Sequence, residues 1–179
     1  MNIPRLVFMA LTRIANANRT RLSSFSFGLP TPLAVLAIVL CGPLESEMRA
    51  KLFMGFIGFQ LLLSYTTSAV VKLLSPHWRK GHVLADILST SSFGFPAVAG
   101  FLYRNRGLEK FASHSAIVTM LLVPVCFFIP SPWPIVVALG LMFLFHFTTA
   151  VLMGLNDFLY TLPVAYPGVI CLHTWLTGA

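Results

Sequence analysis

Charge is what this chain has least of. Of its 179 residues 9% are Asp, Glu, Lys or Arg, only five of them acidic, while 57% are hydrophobic. A soluble domain of that length needs far more charged surface, so the sequence expects lipid as its solvent. Cysteine is scarce as well. Cys41, Cys126 and Cys171 each stand alone in apolar sequence, with no CxxC pair and no Cys/His spacing of the zinc type. They read as packing residues, with no disulfide framework and no metal centre implied. Also missing are a Gly-rich phosphate loop, HExxH, GxSxG and a pair of intramembrane carboxylates, which removes hydrolase and ATPase readings. There is no two-half transporter pattern, no internal repeat, no heptad seam and no low-complexity linker.

What is present is a set of apolar runs punctuated by basic clusters. The formal charge of +7 comes from short groups beside those runs, not from one polar face, so nucleic acid is not the expected partner. The opening MNIPRLVFMALTRIANAN imitates a signal peptide, but Arg13 interrupts its apolar region and the segment is expected to stay on. Val7, Leu11 and Ile14 share a helical face and Arg5, Arg13, Arg19 and Arg21 supply charge, so residues 1–26 read as a basic interfacial helix. Residues 27–179 then form the membrane bundle. Spans are expected over 27–44, 52–74, 111–130 and 135–155, with Glu45, Glu47, Arg49 and Lys51 as a charge-balanced loop before the second. Residues 158–177, with Pro163 and Pro167 inside, form a kinked fifth span or an interfacial hairpin.

The stretch 83–103 is long enough to span but carries Asp86, a Ser/Thr run at 89–92, Gly94, Pro96 and Gly100. Irregular backbone at membrane depth survives only under a cover of protein or in a wet cavity, so a re-entrant segment is expected. Charge agrees, because Arg79 and Lys80 before it and Arg104, Arg106 and Lys110 after it share one side only if the chain turns back. The same rule places the N-terminus in the cytoplasm, with a bacterial inner membrane as the expected location. The fold class is therefore an all-α polytopic bundle of four to five spans with a re-entrant or interfacial segment.

Candidate functional residues come from the polar groups inside the runs. Gln60, Ser64, Ser68 and Lys72 recur every fourth residue and mark a face that should meet other helices or a wet cleft. Lys72, at its end, is a snorkelling anchor or a functional amine. His146 lies mid-span with Thr149 a turn on; it is a candidate proton relay, quinone partner or axial pigment ligand, or else a helix–helix hydrogen bond. His114, between Ser113 and Ser115, reads as the lining of a polar vestibule. At ~1.5 Å per residue, Lys72, Asp86, Glu109, His114 and Asp157 fall near one boundary, and His146 about 13 Å deeper. A direct dyad of Lys72 and His146 is not expected, while Asp86 or Asp157 is a candidate ion-pair partner for Lys72.

Tyr65 to Leu73 (YTTSAVVKL) followed by Trp78 and Gly81, with His146, Gly154 and Phe158 further on, resembles the two signatures of the horizontally transferred transmembrane family. That family includes the membrane part of vitamin K-dependent gamma-glutamyl carboxylase. The resemblance implies Lys72 as the base that deprotonates a quinol, with His146 or His114 assisting and Ser68, Thr149 and Trp78 beside the ligand. A desolvated neutral amine is a competent base. This chain departs from the carboxylase in a linker one residue longer between Leu73 and Trp78 and in lacking its soluble domain, so carboxylation itself does not follow. Two functions are expected from different classes. One is a small accessory or scaffold subunit of a redox, photosynthetic or respiratory membrane complex, packing against other membrane subunits through faces that include Gly58 and Gly154 and touching a quinone, tetrapyrrole pigment or lipid beside His146. The other is a reduced enzyme of the resembled family, with Lys72 as base.

Overall fold

Helix α1, Ser46–Leu74, is the longest of the bundle and packs chiefly against the last helix of the chain and against the helix Arg106–Phe127. The computed structural model describes residues 45–90 and 94–178. Among these, all regular structure is helical: after α1 come α2 (Pro76–Lys80), α3 (Leu84–Ser89), α4 (Pro96–Arg104), α5 (Arg106–Phe127), α6 (Pro132–Met153), α7 (Asn156–Val164) and α8 (Tyr166–Thr177). Three of them, α1, α5 and α6, are long and apolar enough to cross a membrane. The expected interfacial helix 1–26 and first span 27–44, with Cys41, lie outside the described residues, whereas Cys126 and Cys171 are free thiols.

The spanning helices begin earlier than hydropathy alone places them. The loop expected at 45–51 is instead the first turns of α1, where Glu47 and Lys51 pair at 2.7 Å one turn apart. Such a pair, with its acid at the helix N-terminus, favours helix over loop. Likewise α5 starts at Arg106, and α6 starts at Pro132 inside the expected turn, since a proline in the first helical turn gives up an N–H that has no partner there. At the other end of α1, Ser75 is extended before Pro76, and the chain turns sharply into α2.

Residues 83–103 form two short helices, α3 and α4, of six and nine residues, neither able to cross a bilayer. They pack on each other through Ala85, Leu88, Phe95, Ala99 and Leu102, and on Leu152 and Met153 at the end of α6. The Phe95 N–H donates to the Leu88 carbonyl at 2.8 Å, which ties the end of α3 to the start of α4. The segment leaves and returns at the same end of the bundle: Ser113 of α5 donates to the Gly81 carbonyl at 3.3 Å. Arg79 before the segment thus lies near Lys110 after it, both held by His114.

The core has a seam that the sequence did not advertise. Gly55, Gly58, Leu62, Tyr65 and Ala69 of α1 are buried at alternating spacings of three and four, against an expectation of no heptad seam. Two of the five are glycines, so no run of large apolar residues marks the repeat. The glycines serve an antiparallel crossing with α8, where a Cβ on Gly58 would stand 2.8 Å from the Val169 nitrogen and one on Gly168 would stand 2.8 Å from the Met54 carbonyl oxygen. Backbones that close need residues without side chains, the device membrane helices use when dispersion rather than hydrophobicity holds them together. Gly58 is therefore consumed inside the chain. The stretch 158–177 is broken at Ala165 into α7 and α8, with Pro163 and Pro167 on either side of the break, and α8 packs along α1. Outward, large apolar side chains such as Val118, Val125, Val137 and Leu144 are more than half exposed, which suits a lipid-facing surface.

Candidate functional site

Midway along the bundle, the Tyr65 hydroxyl and His146 Nε2 share a hydrogen bond of 3.2 Å that joins α1 to α6. Both residues are buried, and the Tyr166 hydroxyl lies beside that of Tyr65. The imidazole lies between two rings, Tyr65 at 5.9 Å and Phe158 at 6.1 Å between centroids, both nearly parallel to it, with Phe145 edge-on at 5.5 Å. The spacing of His146, Gly154 and Phe158 has a physical reason. Gly154 ends α6 in the left-handed conformation at φ 71°, favourable for glycine, and the chain folds back so that Phe158 of α7 covers the imidazole two turns earlier. Thr149 does not reach this ring; its hydroxyl donates to the His146 carbonyl at 2.9 Å. Tyr65→Phe should cost about 1–2 kcal/mol of stability in detergent, the scale of an interhelical hydrogen bond in a membrane, and the loss should shrink in a His146→Leu background. Equal losses in both backgrounds would show the two groups to be uncoupled.

Lys72 sits two turns further along α1, roughly 10 Å from Tyr65 by helical rise, so the lysine and the histidine belong to different layers. Its ammonium donates to Ser68 Oγ at 2.7 Å and stands 5.2 Å from the centre of the Trp78 ring, a cation–π contact that closes the corner between α1 and α2. The sequence-derived trio Ser68, Lys72 and Trp78 is thus brought together. An ion pair with Asp86 is not formed, because that carboxylate is exposed and accepts the Tyr103 hydroxyl at 2.8 Å; the Asp157 side chain lies outside the described set. The polar stripe runs along the margin of the α1 seam and does not enter the core: Ser64 is exposed, and Gln60 and Ser68 are half-buried.

At the same end of the bundle, Glu109 is fully covered yet surrounded by donors. Its carboxylate accepts from Arg106 at 2.8 Å, from His82 at 3.3 Å and from the Ala85 backbone N–H at 3.1 Å. Arg106 and His82 are themselves about half exposed, so the carboxylate lies under a single layer of side chains. It fastens the α3–α4 hairpin to the first turn of α5. His114 bridges α5 and α2, with Nδ1 at 2.7 Å from the Lys110 carbonyl and Nε2 at 3.1 Å from that of Arg79. Both ring nitrogens are engaged with backbone oxygens, an arrangement that ties elements together.

Two buried groups escaped the sequence reading. His173 of α8 is fully buried; its Nδ1 donates to the Phe127 carbonyl at 2.8 Å, and Nε2 has no partner. The Tyr166 hydroxyl, in the same core as Tyr65, is also buried, with the Tyr65 hydroxyl as its polar neighbour. Nothing local flagged either one, since both sit in a proline-broken apolar stretch whose depth depends on how it folds onto α1. Among the described residues there is no group of three or more His, Cys, Asp or Glu placed to hold a metal. No protein-family model matches the chain, and no curated protein or solved structure shows significant similarity to it.

Proposed function

We propose that this chain is a small accessory or scaffold subunit of a larger membrane complex of redox type, lying in a bacterial inner membrane with its basic end in the cytoplasm. On this reading 83–103 is a re-entrant hairpin at that end, and the lipid- or partner-facing surface near His146 touches a quinone, pigment or lipid. The observation that carries it is the internal matching of the polar groups. His146 with Tyr65, Glu109 with Arg106, His82 and Ala85, and His114 with two carbonyls all spend their hydrogen-bonding capacity on holding helices together. Groups arranged that way build a rigid frame and leave the outer faces for association.

A second reading keeps a specific observation of its own. Ser68, Lys72 and Trp78 converge at the mouth of the bundle, the constellation that a quinol-deprotonating lysine of the resembled family would need. Lys72→Ala separates the two. For a scaffold, the variant should extract in mild detergent at the wild-type particle size, with the same co-purifying proteins and within about twofold of the wild-type yield, because a half-exposed lysine whose partners, Ser68 and the Trp78 ring, are both neutral contributes little to stability. A small, partner-free wild-type particle whose quinol-linked activity vanishes in Lys72→Ala would overturn the scaffold reading and make Lys72 the base.

A further inference from the structure

We infer that the corner formed by α2 and the first two turns of α5 is a binding site for the phosphate headgroup of an anionic membrane lipid. Arg79 and Lys80 come from α2 and Lys110 from α5, and all three are exposed. They are neighbours because Gly81, left-handed at φ 75°, ends α2 directly against α5, where a Cβ on it would lie 2.9 Å from Lys110 Cα. His114 locks the two elements by bonding the Arg79 and Lys110 carbonyls. The ring thus fixes the α2 backbone against that of α5 beside the three cations.

Nothing within the described residues neutralises this cluster. Of the carboxylates on the same end, Glu109 is paired with Arg106 and His82, and Asp86 accepts the Tyr103 hydroxyl and is within ion-pair distance of no described cation; Glu47 pairs with Lys51 at the far end of α1. Arg79, Lys80 and Lys110 have no carboxylate within ion-pair distance among the described residues. One guanidinium and two ammonium groups carried on neighbouring backbone suit the oxygens of a phosphate. Position selects the source. The corner follows directly on α1 and opens α5, both long and apolar enough to cross a membrane, so it sits at headgroup level, with the half-buried Trp78 as the kind of aromatic residue found there. A bilayer lipid is therefore the occupant, in place of a soluble phosphate or nucleic acid. The inference does not depend on whether the chain is a scaffold or an enzyme.

The test uses the full chain in neutral detergent, titrated separately with phosphatidylglycerol and phosphatidylcholine of the same acyl chains, with bound lipid counted by native mass spectrometry. Phosphatidylglycerol should be retained in preference, and its apparent affinity should fall about fivefold for each cation removed, hence roughly 25-fold in Lys80→Ala/Lys110→Ala. Lys51→Ala, at the opposite end, and Lys80→Arg, which keeps the charge, should both bind as wild type, and the latter keeps the test valid if the double variant folds poorly. Equal retention of the two lipids, or loss of binding in Lys51→Ala as severe as in the double variant, would overturn the assignment. Displacement of the lipid by millimolar inorganic phosphate would do so too, by giving the site to a soluble anion.

Discussion

Gly58→Leu should prevent α8 from docking on α1 and leave a chain that inserts but does not complete its bundle. The Cβ alone would stand 2.8 Å from the Val169 nitrogen and closer still to the Gly168 carbonyl, and these are backbone atoms that cannot swing aside as a flexible side chain would. Overpacking a core costs typically 1–3 kcal/mol, and a clash with backbone at a helix crossing belongs at or beyond the upper end, about 3 kcal/mol or more. Separation of the helices would also uncover Tyr166, which packs on the core that includes Tyr65 of α1. Gly55→Ala is the matched control. Its Cβ would meet the ends of Leu172 and Trp175 at 3.5–3.7 Å, ordinary van der Waals contact, so that variant should be close to neutral. The measurement is reversible unfolding in mixed detergent together with protease susceptibility of residues 156–178. If both variants unfold alike, the close crossing of α1 and α8 is not what holds the C-terminal helix.

Glu109→Leu should release the α3–α4 hairpin while the three long helices stay packed. The substitution removes the acceptor for the Ala85 N–H and for two side chains from separate places in the chain, and bonds to a charged acceptor are worth about 1.5–3 kcal/mol each. Because Arg106 and His82 regain water on the exposed side, the net loss should be near 3 kcal/mol, well short of the sum. It should appear as faster hydrogen exchange across residues 84–104, with much smaller change in α6. Glu109→Gln keeps an acceptor oxygen for Ala85 and should fall between the two. Unchanged exchange in Glu109→Leu would mean that the apolar contacts of Ala85, Leu88, Phe95, Ala99 and Leu102 hold the hairpin without the carboxylate.

Much of this architecture is legible in composition and periodicity. The apolar runs lead to α1, α5 and α6, and the Ser75-Pro76 pair ends α1 where a pre-proline residue must leave the helix. The boundaries were less legible, because charged turns such as Glu45 to Lys51 look like loop in hydropathy while a Glu–Lys pair makes them good helix. The candidate site is divided in the same way. That His146 and Lys72 occupy different layers follows from helical rise along the chain, and the structure keeps them apart. That Tyr65 is the histidine's partner does not follow, since nothing in a row of Tyr, Thr and Ser on α1 says which one faces α6.

The sequence by itself determined the solvent, the helical class and the side of the bundle on which the positive charge collects, because each of these depends on local quantities: apolar length, the period of a helix and the count of basic residues next to a span. Only the tertiary structure decided the small-residue seam of α1 and α8, the sandwich of His146 between Tyr65 and Phe158, and the three donors around Glu109. Most of those contacts join residues far apart in the chain, 24 positions for Ala85 and Glu109, 81 for Tyr65 and His146 and 110 for Gly58 and Gly168. What selects them is close packing without water, where a glycine is chosen for what it leaves out and a polar group for the one partner within reach.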